Sequence, residues 1–366
     1  MFQNGPSSIQ EAAKDKLTHF LENSEDVSEK TWHGMVPVKS KQEFDHLHDL
    51  LKSKGFFKPS YFHEFIDWMF IFIPQLLGIY IMHKTIYSYL GAFLFSFGTQ
   101  QAGWVAHDYS HHSVFKTPFV NDVIARLFGW LQGYELQWWK ARHNTHHMVT
   151  NEVGNDPDIQ TSPLFTYCQK EWPSLNHLQR FQHLYFVPAL ALLHFYWMFE
   201  SLQYCASRLP KMRWHLLLLF TYYPVIFWIF RPVGWGPFWF FGFSKGFMTG
   251  ICVFSTHYAE ERTNAGSHQM SFGEQSARGS RNISGGWLVD RFSGSISRQI
   301  QHHMFPMMPR HNLVAVEPYV RTYCEKIGVS FNEDSFTECV RRNMTMLNVH
   351  SQNSHDIYSS ALKKQE

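Results

Sequence analysis

Two pairs of apolar runs constrain the fold of this chain more than any other feature. The first pair covers residues 65–82 and 86–105, and the second covers residues 214–230 and 238–255. Each run approaches the roughly 20 apolar residues that a helix needs to cross a bilayer, and the members of a pair are separated by only a few residues. The sequence therefore predicts an all-α membrane protein with four transmembrane helices in two hairpins.

The remaining sequence is polar, apart from a shorter apolar run at residues 184–199. This run could be a short span or an interfacial helix. With four spans, residues 107–180 and 256–366 lie on the same side of the membrane, as a shared site would require. A fifth span at residues 184–199 would place them on opposite sides, so we expect this run to be an interfacial helix. The predicted organisation is a polar N-terminal segment 1–60, a membrane domain 61–345 and a polar tail 346–366.

Charge and cysteine content exclude several classes of protein. The net charge of +2 comes without a long basic block, so nucleic acid is not expected as a partner. The five cysteines include no C-x-x-C pair, so neither a disulfide framework nor a zinc ribbon is indicated, and a reducing compartment fits best. The N-terminus lacks the pattern of a signal peptide, so we expect insertion to use the first internal span.

Three clusters of metal-ligating side chains lie in the polar segments. They contain His107 and His111; His143, His146 and His147; and Gln299, His302 and His303. Spacings of three and four residues place side chains on one face of a helix, so each cluster can present its donors to a metal. The chain has 23 histidines, and clustering of this kind is not expected from packing alone.

The number of histidines indicates two metal ions. One ion takes at most six ligands, and imidazole suits iron, copper, zinc and nickel. Structural zinc would need only four ligands, usually with thiolates, which these clusters lack, so a pair of iron ions fits best. Isolated histidines such as His183, His194 and His257 are, taken alone, more often core residues, and His112 and His311 are predicted not to be ligands. Asp108 could orient an imidazole or lie on the helix surface.

At these clusters the sequence resembles the membrane fatty acyl desaturases, over roughly residues 45–345. Within them it resembles the front-end group, which works between an existing double bond and the carboxyl end, and whose third histidine box begins with Gln. The resemblance rests on four segments: QQAGWVAHDYSHHSVF (100–115), WWKARHNTHH (138–147), TNEVGNDPDI (150–159) and QIQHHMFPMMPRHNL (299–313).

The resemblance implies an O₂-dependent di-iron oxidoreductase that acts on a fatty acyl chain carried by coenzyme A or a phospholipid. It implies four spans under a cytosolic helical cap. It also implies the endoplasmic reticulum membrane as the location, with the site facing the cytosol. Electrons would come from NAD(P)H through cytochrome b5 reductase and cytochrome b5. The implied metal ligands are His107, His111, His143, His146, His147, His257, Gln299, His302 and His303.

Family members often carry a fused cytochrome b5 domain with a His-Pro-Gly-Gly motif. The nearest match here, Trp32-His33-Gly34-Met35, lacks Pro-Gly-Gly, so a separate cytochrome b5 is expected. Ser110, Gln301 and Arg298 also depart from the family's usual residues. An active enzyme with altered substrate preference is the favoured interpretation. A sphingolipid desaturase or hydroxylase of the same architecture, and a catalytically silent membrane protein, are the alternatives.

Overall fold

The computed structural model describes residues 38–161, 164–167, 179–264 and 270–362. These residues form a mostly helical protein. The helices up to the end of the second apolar pair are α1 Val38–Ser53, α2 Tyr61–Lys84, α3 Ser88–Ser110, α4 Pro118–Gln132, α5 Leu136–Met148, α6 Gln182–Ala189, α7 Leu193–Ala206, α8 Arg213–Phe220, α9 Tyr222–Phe230 and α10 Trp235–Ser255. The later helices are α11 Phe272–Arg278, α12 Gly286–Phe292, α13 Gln299–Met304, α14 Leu313–Ile327 and α15 Phe336–Leu362.

Four short strands tie distant polar segments together. They are β1 Glu152–Val153, β2 Thr263–Asn264, β3 Asn282–Ser284 and β4 Glu333–Ser335. β1 pairs in parallel with β2, and β3 pairs in parallel with β4. The first pairing joins the segment after α5 to the segment after α10, so the two polar regions that carry the histidine clusters lie against each other.

Three helical stretches are long and apolar enough to cross a membrane, among the residues that the structure describes. They are Tyr61–Lys84, Arg213–Phe230 and Trp235–Ser255. They contain the first, third and fourth predicted spans. The third predicted span is formed by α8 and α9, which meet at Thr221.

The second predicted span forms helix α3, but α3 is not among these three stretches. Its C-terminal half is buried in protein and includes two polar side chains, Gln100 and Gln101. Gln100 Nε2 donates a hydrogen bond of 2.9 Å to the carbonyl of Phe292. The polar side chains of α3 therefore contact other parts of the protein. The four-span topology stays a prediction.

Small residues let α2 and α3 pack closely as a hairpin. A Cβ atom at Gly78 would overlap the carbonyl of Gly91, and one at Gly98 would overlap the carbonyl of Ile71. Close approach through small residues is typical of helices that pack within membranes. The hairpin fixes the position of the C-terminal end of α3, where His107 and His111 lie.

The N-terminal helix and the third histidine cluster share one hydrophobic core. Leu47 and Leu51 of α1 pack in a buried cluster with Ile300 of α13 and with Val316 and Val320 of α14. Helix α1 therefore lies on the same side of the α2–α3 hairpin as the histidine clusters. The segment 184–199 forms α6 and α7 around a 3-10 turn, Leu190–Leu192, and is not one of the three candidate spans.

Candidate metal centre

The histidines converge from four separate parts of the chain. Helix α3 ends with His107 and His111, and α5 carries the second cluster. His257 follows the end of α10, and α13 carries the third cluster. The short strands and the shared core bring these four elements together, so that ligands from distant segments face each other.

Five imidazoles form the first group. Their ring nitrogens all lie within 4.8 Å of one another. Nε2 of His143 is 3.0 Å from Nε2 of His111 and 2.9 Å from Nε2 of His147. Nε2 of His302 is 3.1 Å from Nε2 of His147. The group consists of His107, His111, His143, His147 and His302.

Three imidazoles form the second group, and one amide lies beside it. The ring nitrogens of His146, His257 and His303 lie within 4.8 Å of one another. Nε2 of His146 is 3.3 Å from Nε2 of His257. The Gln299 side-chain amide lies beside this group, with Nε2 2.6 Å from His257 Nε2 and 3.1 Å from His303 Nε2. Rotating the amide would present its oxygen, which is the atom that can bind a metal.

Hydrogen bonds to Nδ1 turn the lone pairs of the second group toward a common point. His146 Nδ1 donates to the Asp156 carboxylate at 3.0 Å, and His257 Nδ1 donates to the Gly279 carbonyl at 2.8 Å. Thr150 donates its hydroxyl proton to the His146 carbonyl, so this hydroxyl accepts from His303 Nδ1 at 3.0 Å.

A neutral imidazole has one proton, so each Nε2 in the second group is left with a lone pair. Lone pairs 3.3 Å apart repel unless a proton or a metal ion lies between them. Burial lowers the pKa of His146, but Asp156 and Asp158 outweigh this effect and raise the pKa to about 9. A proton on Nε2 of His146 can therefore occupy the place that a metal ion would take.

One member of the first group is oriented in the same way. His107 Nδ1 lies 3.2 Å from the Asp108 carboxylate, and its buried Nε2 has no hydrogen-bond partner among the described residues. Asp108 in turn pairs with Arg310, and both side chains are buried. Of the two roles predicted for Asp108, the structure shows the one in which the carboxylate orients an imidazole.

The electrostatics of the clusters favour the metal-binding form of most imidazoles. Burial, followed by the charge of neighbouring imidazoles, holds the pKa of His143, His147 and His303 well below its ordinary value. These side chains are therefore neutral near pH 7, which is the form that binds metals. Five imidazoles in one group, and three imidazoles with an amide in the other, fit two transition-metal ions.

An apolar cavity of about 620 Å³ leads to the histidines. Its inner end is lined by His107, His143, His146, His257 and Gln299. Away from the histidines the lining is mostly apolar and comes largely from α6, α7 and α10, including Pro188, Leu190, Leu193, Phe243 and Val253. The shape and lining of this cavity suit a long apolar chain.

All nine residues predicted as ligands are brought together, eight within the two groups and Gln299 beside the second. Whether they bind a metal stays a prediction. His112 and His311, predicted not to be ligands, lie outside both groups. His112 Nε2 lies 2.9 Å from an Asp122 oxygen, and the His311 ring stacks on His63.

Arg298 is neutralised by carboxylates. It donates hydrogen bonds to Asp290 at 3.1 and 3.2 Å and to Glu317 at 3.0 Å, with Glu333 3.5 Å away. The side chain of Gln301 accepts from Asn282, and Ser110 donates to the carbonyl one turn earlier in α3. The three departures from the family pattern therefore have local partners.

The sequence did not identify the residues that orient the imidazoles of the second group. Asp156 lies in the quoted segment 150–159, and its signal was a carboxylate ten residues after His146. Thr150 is in the same segment, one turn after His146. Gly279 gave no signal, because only its backbone carbonyl takes part. Trp139, which stacks on His143 with 4.1 Å between ring centroids, lies outside the predicted ligand set.

Comparisons with known proteins agree with this site. The fatty acid desaturase family matches residues 84–335. An acyl-lipid 8-desaturase of Rebecca salina is 43% identical over 304 residues, which are 80% of this chain and 71% of that protein. A Delta(8)-fatty-acid desaturase of Euglena gracilis is 32% identical over 70% of this chain and 66% of its own length.

A Delta(5) fatty acid desaturase of Caenorhabditis elegans is 30% identical over 71% of this chain and 63% of its own length. The chain thus spans less than two thirds of the last two relatives. The family match includes all three histidine clusters, the second run of the first apolar pair and both runs of the second pair. The resemblance seen in the sequence is confirmed: this chain belongs to the fatty acid desaturase family, whose members are oxidoreductases.

Proposed function

We propose that this protein is an O₂-dependent front-end desaturase, which introduces a double bond into a fatty acyl chain on the carboxyl side of an existing one. The observation that carries the proposal is the apolar cavity that ends at the two histidine groups. A cavity of this kind can hold a methylene chain, and the histidines can hold the metals needed to oxidise it. The front-end position is supported by Gln299 and by relatives named as Delta(8) and Delta(5) desaturases.

The proposed cofactor is a pair of iron ions, one in each group of ligands. Bound iron would supply the O₂-dependent oxidation of an unactivated methylene, for which acid–base side chains are insufficient. The overall reaction converts –CH₂–CH₂–, O₂, two electrons and two protons into –CH=CH– and two water molecules. The proposed electron source is NAD(P)H, through cytochrome b5 reductase and cytochrome b5.

The protein's own contribution is to place one pair of methylenes beside the metal centre. Adjacent methylenes are chemically alike, so position has to be selected by proximity. Trp139 and Trp104 line the inner end of the cavity, where Trp139 stacks on His143. Trp104 is fixed by a hydrogen bond of 3.1 Å from its indole to the Phe292 carbonyl. These rings restrict the path of the chain next to the histidines and exclude water from it.

The packing of the polar segments supports four membrane crossings within a membrane domain at residues 61–345. Helix α1 shares a core with α13 and α14, so these elements lie on one side. The parallel pairing of β1 with β2 requires that the segments after α5 and α10 also lie on one side of the membrane. Both conditions are met if α2 and α3 each cross, followed by Arg213–Phe230 and α10, with a helical cap on the cytosolic face of the endoplasmic reticulum.

The test is expression in a desaturase-deficient yeast that is fed a panel of mono- and polyunsaturated fatty acids. We expect a new double bond on the carboxyl side of an existing one, detected by gas chromatography and mass spectrometry. The His146→Ala variant should give no product, whereas His112→Ala, outside both groups, should retain it. New unsaturation or hydroxylation confined to sphingoid bases, or no product from an iron-loaded protein, would contradict the proposal.

A further inference from the structure

A lysine lies buried in the middle of the last candidate span. Lys245 belongs to α10, and only 3% of its surface is exposed. Its Nζ donates a hydrogen bond of 2.7 Å to the Gln132 carbonyl and lies 3.0 Å from His194 Nδ1. Gln132 and His194 are buried as well. Ionisable residues inside membrane spans are rare because they are costly, and they usually have a functional reason.

These three residues separate two apolar cavities. Gln132 lines the cavity that leads to the histidines. His194 lines a second cavity of about 390 Å³, whose other lining residues are mostly aromatic and aliphatic side chains of α7, α9 and α10. Lys245 joins Gln132 to His194 and so completes a polar partition between the two cavities.

The partition lies deeper in the membrane region than the histidines, along both α3 and α10. Along α3, Gly103 lies one turn from His107, and a Cβ atom at Gly103 would be 3.2 Å from the Gln132 side chain. Along α10, the ten residues from Lys245 to Ser255 correspond to about 15 Å of helix. An acyl chain that extends from the histidines into the membrane region would therefore meet the partition with its methyl end.

A purely structural role explains only part of this arrangement. Gln132 is the last residue of α4, and a lysine at that place can satisfy a carbonyl that has no partner within the helix. Such capping accounts for the contact with Gln132. It does not account for His194 on the other side of the lysine amino group, or for the position of all three residues between two apolar cavities.

We propose that Lys245, His194 and Gln132 form a polar floor that limits how far the methyl end of an acyl chain can extend. The inference rests on the proposed function. A methylene chain can form no hydrogen bonds, so a longer chain could pass only by separating Lys245 from its partners and leaving them unsatisfied in an apolar region. The floor selects substrates by the length of chain beyond the reacting carbons, and Lys245 and His194 are specificity residues that touch no reacting atom.

The test compares variants on a series of polyunsaturated acids that differ only in the number of carbons between the last double bond and the methyl end. Lys245→Met keeps a long side chain but removes the amino group. His194→Ala opens the partition and leaves the contact between Lys245 and Gln132 in place. Both should raise conversion of the longest acid relative to the shortest by about tenfold, the usual effect of a changed apolar pocket.

Lys245→Arg and the matched surface variant Lys84→Met should keep the wild-type ratio. An equal loss of conversion for every acid in both Lys245→Met and His194→Ala would overturn the floor and leave Lys245 as a helix cap. A shift of the ratio in Lys84→Met would overturn it as well. If wild-type protein converts none of the acids, the proposed function fails. Conversion with an unchanged ratio in His194→Ala refutes the floor alone.

Discussion

The two histidine groups obtain their geometry in different ways. In the first group, His107 and His111 are one turn apart on α3, as His143 and His147 are on α5. In the second group, every imidazole comes from a different element. Each is held by a contact to Nδ1, from Asp156, Gly279 or Thr150.

Helical spacing can therefore position a group with many donors. A group with few donors depends on the hydrogen bonds that orient its imidazoles through Nδ1. The first group has five imidazoles, and the buried Nδ1 of His147 has no partner among the described residues. The second has three imidazoles beside one amide. Loss of a single contact should therefore matter more in the second group, because fewer ligands remain to hold an ion.

We expect the largest loss of activity on substitution of His302 or His303. These residues are neighbours in the chain, but His302 belongs to the first group and His303 to the second. Alanine at either position should reduce desaturation by more than about 100-fold, the upper range for outer contacts. His303→Ala should also lower iron from about two ions per chain to about one, because only two imidazoles remain. His302→Ala should retain nearly two ions. Metal analysis of purified protein and product analysis in yeast measure these effects.

His112→Ala is the control, because His112 pairs with Asp122 outside both groups. It should leave iron content and activity unchanged. Equal loss of iron in His302→Ala and His303→Ala would refute the difference between the groups, and loss of both ions in either variant would indicate one shared site.

The next effect concerns the carboxylate that orients His146. Asp156→Asn removes the negative charge at Nδ1 and should weaken iron binding in the second group by about 10- to 100-fold. The measurement is iron retained during dialysis against increasing concentrations of chelator. Asp122→Asn, a surface change beside His112, serves as the control. If Asp156→Asn retains iron as well as wild type, orientation by Asp156 is not needed for binding.

The sequence could predict what depends on local spacing. Intervals of three and four residues identified His143, His146 and His147 as one set, since a helix places them on one face. The assignment of His146 to one group and His147 to the other could not be predicted, because it depends on the positions of α3 and α13 relative to α5. His257 has no local pattern and was identified only through the resemblance.

The membrane region shows the same division between local and distant information. Hydropathy identified α2, the α8–α9 stretch and α10 as candidate spans. It treated α3 as equivalent, although the polar residues of α3 contact other protein segments. Lys245 could be seen within the predicted span 238–255, but its partner His194 is 51 residues away and its role depends on two cavities.

A smaller effect is expected at the hydroxyl that orients His303. Thr150→Val keeps the shape of the side chain but removes the acceptor for His303 Nδ1, so iron retention and activity should fall by about tenfold, the lower end for such contacts. Thr145→Val is a matched control on α5, because the Thr145 hydroxyl donates to the carbonyl of Ala141, one turn earlier in the same helix, and not to an imidazole of either group. A loss in Thr145→Val as large as in Thr150→Val would show that the effect comes from helix packing.

The smallest effect should occur at Arg298, which neighbours the second group in sequence but faces three carboxylates. Arg298→Met removes the cation that Asp290, Glu317 and Glu333 share, although Glu317 and Glu333 still pair with Arg321. The repulsion should destabilise the fold by about 1–3 kcal/mol, the usual range for a point mutation, and lower the thermal midpoint in detergent. Because the guanidinium points away from the imidazoles, iron per chain should not change.

Arg298→Lys keeps one positive charge and should recover part of the lost thermal stability. Arg298 adjoins Gln299 in the chain but makes no contact with Nδ1 of any imidazole in the second group. It therefore tests whether iron binding depends on direct contacts to the imidazoles or on proximity in sequence. If Arg298→Met lost iron without any change in thermal midpoint, the carboxylates around Arg298 would have to act on the metal centre. Proximity in sequence would then matter as much as the direct contacts from Asp156 and Thr150.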